Sequence, residues 1–90
     1  MSNADVLVLA VARYLCRHRS VGMLRLVDDV AKHKEVLRAL GLGYSPPPDT
    51  PEWWKTYRAV VDAVRTLEAK GLVKYIASIG VVNWEGRPCL

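Results

Sequence analysis

The segment Thr50-Pro-Glu-Trp-Trp-Lys-Thr-Tyr-Arg-Ala-Val-Val-Asp-Ala-Val-Arg-Thr-Leu-Glu-Ala-Lys-Gly71, with the Leu72-Val-Lys-Tyr-Ile-Ala77 that follows, decides the fold. Thr50 is a capping residue, and Pro51 takes the first helical position, where a missing N–H costs nothing. Glu52 sits in the electropositive first turn, and no breaker follows until Gly71. Trp53, Tyr57, Val60, Val61, Val64 and Leu67 recur at helical spacing and predict a buried stripe. Lys55, Arg58, Asp62, Arg65 and Thr66 fall on the opposite side. After Gly71 the period changes from helical to extended. Leu72–Ala77 is β-rich, Val81-Val-Asn-Trp84 is a second extended run, and Ser78-Ile79-Gly80 reads as the turn of a hairpin.

Upstream lies Gly41-Leu-Gly-Tyr-Ser-Pro-Pro-Pro-Asp-Thr50, whose three prolines lack donors and fix φ. Residues 41–49 therefore read as an ordered or semi-rigid loop inside one domain spanning 1–90. Residues 4–40 read as helices. The first runs from about Ala4 to His18, with Ser2 or Asn3 as its cap, Asp5 in its first turn, and Arg17 and His18 at its cation-favouring end. Its apolar set is wide (Val6, Leu7, Val8, Leu9, Ala10, Val11, Tyr14 and Leu15), so cover on more than one side is expected, part of it from a second subunit. Ser20 opens a second helical region with a stripe of Met23, Leu26, Val27, Val30, Leu37 and Leu40, stopped by Gly41. His33 also falls on the stripe, and two shorter helices turning there are slightly favoured over one. Residues 85–90 read as a tail leaving the sheet.

Ninety residues, 51% of them hydrophobic and 24% charged, fit one soluble domain that needs most of its apolar residues for packing. The net charge of +4 permits a polyanionic partner without requiring one. The longest unbroken apolar run, Val6 to Ala12, has seven residues, far short of the roughly 20 a membrane span needs. Only Met1 to Asp5 precede that run, with an acid where a basic leader would be, so a cytoplasmic, intracellular protein is expected. Arg outnumbers Lys eight to five, Gln is absent and Asn occurs only at 3 and 83, a scarcity of thermolabile amides that suits a thermophile. Cys16 and Cys89 are too few for a disulfide scaffold, and two unrelated free thiols are favoured over a bridge.

The order of helices, long amphipathic helix and hairpin, with Arg65-Thr-Leu-Glu-Ala-Lys-Gly-Leu-Val-Lys74 at its centre, resembles the winged helix-turn-helix family of bacterial and archaeal transcription regulators. The match is good over Thr50–Trp84 and only topological over Ala4–Leu40. It departs from the family in the turn before the long helix, nine residues instead of the usual three or four. The resemblance implies a mainly α winged-helix domain, with a recognition helix at 50–70 and a wing hairpin at 72–84. It also implies a homodimer bound to double-stranded DNA. Arg58, whose planar fork matches guanine O6 and N7, would read a base edge. Lys55 would reach a base or phosphate, Thr56 would offer a hydroxyl or methyl, and Arg65, Lys74 and Arg87 would meet phosphates, the last two at the wing. Arg17 and Arg19 are weaker phosphate candidates.

Each of these residues also has a plainer reading. Arg58, Asp62 and Arg65 are spaced for ion pairs along a solvated helix face. Trp54 lies at the margin of the buried stripe, where packing against the proline loop is favoured over base stacking or a partner. Asp28 and Asp29 diverge on a helix and read as a solvated pair. His18, His33, Cys16 and Cys89 lack the spacing of a metal site, and Gly41-Leu-Gly43 is followed by prolines instead of a helix, so neither a cofactor nor an enzyme is expected. The alternative to DNA binding is a winged-helix module that docks a protein partner. Binding of RNA or single strands comes third.

Overall fold

A computed structural model describes residues 2–89 as five helical and extended segments before the hairpin, then the hairpin itself. They are α1 (Asn3–His18), β1 (Ser20–Gly22), α2 (Met23–Val30), α3 (Lys34–Ala39), α4 (Pro51–Ala69), β2 (Val73–Ile76) and β3 (Val81–Trp84). Ser2, not Asn3, caps α1. Its Oγ accepts from the Asp5 N–H at 3.2 Å, and the Asp5 carboxylate accepts from the Ser2 N–H, forming a capping box. α1 ends at Arg19, a non-glycine residue at φ 69°, which turns the chain abruptly into β1.

β1 was not anticipated, and it makes the sheet three-stranded where a two-stranded hairpin was expected. The strand order is β1-β3-β2, all antiparallel. Ser20 faces Asn83 in register and donates its hydroxyl to the Asn83 side chain at 2.7 Å. Three residues carry no alternation that could announce a strand. The link to α2 is equally short: the Met23 N–H donates to the Gly80 carbonyl at 2.7 Å, so the hairpin turn satisfies the start of α2.

The favoured pair of shorter helices is present as α2 and α3, broken at Ala31–His33, and His33 is the exposed N-cap of α3. Gly41 (φ 72°) and Gly71 (φ 75°) close α3 and α4 in the same way. After each glycine the next N–H returns to the third-last helical carbonyl, Leu42 to Leu37 at 2.8 Å and Leu72 to Leu67 at 3.0 Å. This is the Schellman ending that left-handed glycine allows. Loop 41–49 is pinned: Pro46 is buried, the Ser45 hydroxyl donates to the Ala31 carbonyl, and the Thr50 hydroxyl donates to the Pro47 carbonyl.

The core gathers Leu7, Val11 and Leu15 of α1, Leu26, Val27 and Val30 of α2, Val60, Val64 and Leu67 of α4, and Val73 and Val82 of the sheet. α1 lies at the centre and packs on α4, α3, α2 and the sheet. The wide apolar face that suggested a second subunit is thus covered mostly within the chain, and Leu9 is left exposed at 40%. The buried face of α4 is Trp53, Thr56, Val60, Ala63, Val64 and Leu67, which corrects the expected stripe: Tyr57 and Val61 are only half-buried. Thr56 and Ala63 are small, so a stripe read from the large apolar residues passes over them, although both are buried.

The expected free thiols are instead a disulfide, Cys16–Cys89, with Cα atoms 5.4 Å apart. The fold supplies the proximity that a 73-residue separation hides. The Trp84 N–H donates to the Arg19 carbonyl, which lays the end of β3 beside the end of α1. No helix among the described residues is long and apolar enough to cross a membrane.

Candidate nucleic-acid interface

Thr50 and Pro51 set the start of α4. Thr50 Oγ1 accepts from the Trp53 N–H at 3.2 Å, and Pro51 opens the helix. Trp53 then anchors it sideways: its ring is buried, stacks on Tyr57, and its indole N–H donates to Asp28 Oδ1 at 3.1 Å. Asp29 beside it accepts the Tyr14 hydroxyl and lies 3.6 Å from Arg25 and 3.5 Å from Lys32. The Tyr14 hydrogen bond, helped by Lys32 and Arg25, holds the Asp29 carboxyl below the usual range. The two aspartates read as a solvated pair are therefore the fasteners that join α2 to α4 and α1. The signal for them was the presence of Trp53 and Tyr14, a buried and a half-buried aromatic whose polar ends need partners.

With that face fixed, α4 turns Trp54, Lys55, Arg58, Asp62, Arg65 and Thr66 outward, all exposed. Arg58 and Lys55 have no ion-pair partner among the described residues, and Asp62 between them and Arg65 has none either. Arg65 is committed. Its guanidinium lies 3.2 Å from Glu68 Oε1 and 5.1 Å above the Tyr75 ring centre. The other Glu68 oxygen accepts the Tyr75 N–H at 3.1 Å, and this bond, followed by Arg65, lowers the Glu68 carboxyl below its ordinary value. The cluster clamps the end of α4 to β2.

Thr56 is the clearest correction to the sequence-based site. It is fully buried, and its hydroxyl donates to the Glu52 carbonyl one turn back, so it cannot touch a base. Lys74 is exposed on β2, next to the strand residue over which Arg65 lies. Arg87 is exposed in the tail beyond β3. Its carbonyl accepts the Trp84 indole N–H at 2.9 Å, in a tail that Cys89 ties to α1. Gly86 allows this course, since a Cβ there would come within 2.8 Å of the Trp84 ring. Arg17 and Arg19 lie at the end of α1, both exposed.

Trp54 remains 43% exposed, held by an indole bond to Asp49 Oδ1 at 2.8 Å and edge contacts with Trp53 and Tyr57. A shallow apolar groove of about 260 Å³ runs between α1, α3 and α4, lined by Leu7, Val8, Leu40, Ala59 and Ala63 among others. Among the described residues no three His, Cys, Asp or Glu side chains come together as metal ligands would. No family model matches the chain, and no curated protein or solved structure is similar to it.

Proposed function

We propose that this chain is a winged-helix protein that binds double-stranded DNA and regulates transcription as a homodimer. In this reading α4 is the recognition helix and the β2–β3 hairpin is the wing. The third strand supports it, because β1 pairs with β3 and joins the hairpin to the helices, and Ile79 in the hairpin turn is 67% exposed. One observation carries the reading: Arg58 stands on the outward face of α4, free of any carboxylate partner among the described residues, with Lys55 one turn earlier. Arg58 reads a base edge, Lys55 a base or phosphate, and Lys74 a phosphate from the wing. Arg65 reaches the backbone only with part of its charge already balanced by Glu68. Thr56, fully buried, has no place in this contact set, and Arg87 in the exposed tail is a further phosphate candidate.

The homodimer rests on narrower ground than the sequence offered. Leu9, 40% exposed, is the large apolar residue that α1 offers a second copy. Two copies joined there would present two α4 helices to a pseudo-palindromic site.

A protein-docking module is the second reading, favoured by the exposure of Trp54 beside the outward face of α4. Titrating the 15N-labelled protein with a duplex separates the two. Shifts at the amides of Lys55, Arg58 and Lys74 are expected; a spectrum unmoved by duplex at low salt removes the DNA reading.

A further inference from the structure

A second cavity, about 520 Å³, opens between the C-terminal half of α1 and the α2–α3 turn; neither α4 nor the sheet lines it. On one wall Arg13 and Arg17 stand one turn apart on the same side of α1, with His18 beyond them. Lys32 and His33 face them from the turn. Two carboxylates share the space, Asp29 and Glu35. Asp29 is already engaged by the Tyr14 hydroxyl, Arg25 and Lys32. Arg13, Arg17 and Glu35 have no ion-pair partner among the described residues, which leaves two guanidinium groups against one carboxylate.

The wall is built, not merely charged. Tyr14, fastened to Asp29, stacks on His18 with ring centres 4.0 Å apart, so the aromatic floor between the two arginines and the turn is fixed. A concavity of this size falls within the range of small-molecule sites. Guanidinium forks bind phosphate and carboxylate oxygens in pairs, and a recess concentrates their field.

We infer that this cavity binds a small polyanion bearing phosphate or carboxylate groups, held by Arg13 and Arg17 and met by His33 and Lys32 from the opposite wall. The site is independent of the surface assigned to DNA, and its ligand touches neither α4 nor the hairpin.

Calorimetric titration of the full chain at low salt tests it, with inorganic pyrophosphate in one arm and succinate in the other. Saturable one-to-one binding is expected, and the arm that shows it distinguishes phosphate from carboxylate. Arg13→Gln and Arg17→Gln should each weaken binding about tenfold, the scale of one lost charge-assisted hydrogen bond. Glu35→Gln should tighten it, because a repelling charge leaves the cavity; all three positions are exposed or lie on the cavity rim, so these variants fold. The inference is overturned by absence of saturable binding in both arms or by affinity indifferent to both arginines. Loss of binding in Arg58→Gln would also overturn it, since the anion would then sit on α4.

Discussion

Thr56 and Arg58 are two residues apart on α4 and about 200° apart around its axis, which places one in the core and the other in solvent. A hydroxyl at 56 therefore serves the helix, donating to the Glu52 carbonyl, while the guanidinium at 58 is available to a partner. Replacing Thr56 by Val should cost about 1 kcal/mol or less in thermal or denaturant unfolding, the net value of one local hydrogen bond. It should leave duplex affinity unchanged. Lost affinity with unaltered stability would put the side chain in the interface after all. Arg65 illustrates the opposite case, a cation that sequence spacing offers to phosphate but that Glu68 and Tyr75 already hold.

Among the elements, α4 and the hairpin were legible because each is marked by residues with one conformational use: Thr50-Pro51 at the start, Gly71 at the end, β-rich runs after it. The split of the second helical region at Ala31–His33 was also readable from the stripe. β1 was not, since a three-residue strand is defined only by the β3 edge it pairs with. The fasteners Asp28 and Asp29 were missed for a similar reason: the partners that give them meaning, Trp53 and Tyr14, are 25 and 15 residues away. The outward placement of Lys55, Arg58 and Arg65 was read correctly, whereas that of Thr56 failed because a small hydroxylated side chain looks polar in sequence yet is buried with its hydroxyl on the Glu52 carbonyl.

Asp29 gives this scale a pH prediction. Its carboxyl titrates lower in the folded chain than in the unfolded one, so its contribution is present above about pH 4 and is lost as the pH falls through the lowered folded value. Asp29→Asn should cost about 1 kcal/mol at neutral pH, a figure kept small by solvent screening around a partly exposed carboxylate. The gap in Tm between this variant and the natural sequence should close below pH 4. A gap that stays constant into strong acid would mean that Asp29 contributes through shape and not charge.

At the scale of the molecule, a central α1 is wrapped by the other helices and by a small sheet, and the Cys16–Cys89 bridge closes the chain from the end of the hairpin back onto it. A loop of 73 residues gives such a bridge about 4 kcal/mol of stabilisation on chain-entropy grounds. Reduction should therefore lower Tm substantially and expose residues 85–89 to proteolysis while the helical circular dichroism persists at low temperature. A Tm indifferent to reductant would show that the bridge does not restrain the chain in solution.

The central question for this molecule is whether the outward face of α4 meets DNA. Fluorescence anisotropy of a labelled duplex, titrated across a salt series with the natural protein and Arg58→Ala, asks this directly. The account predicts binding that weakens with salt at a log–log slope of about −0.9 per phosphate contact, so near −2 to −3 for each protomer. It also predicts an Arg58→Ala loss of about tenfold to a hundredfold, the scale of one bidentate base contact. Weak binding that the substitution leaves untouched would contradict it and turn attention to a protein partner at Trp54.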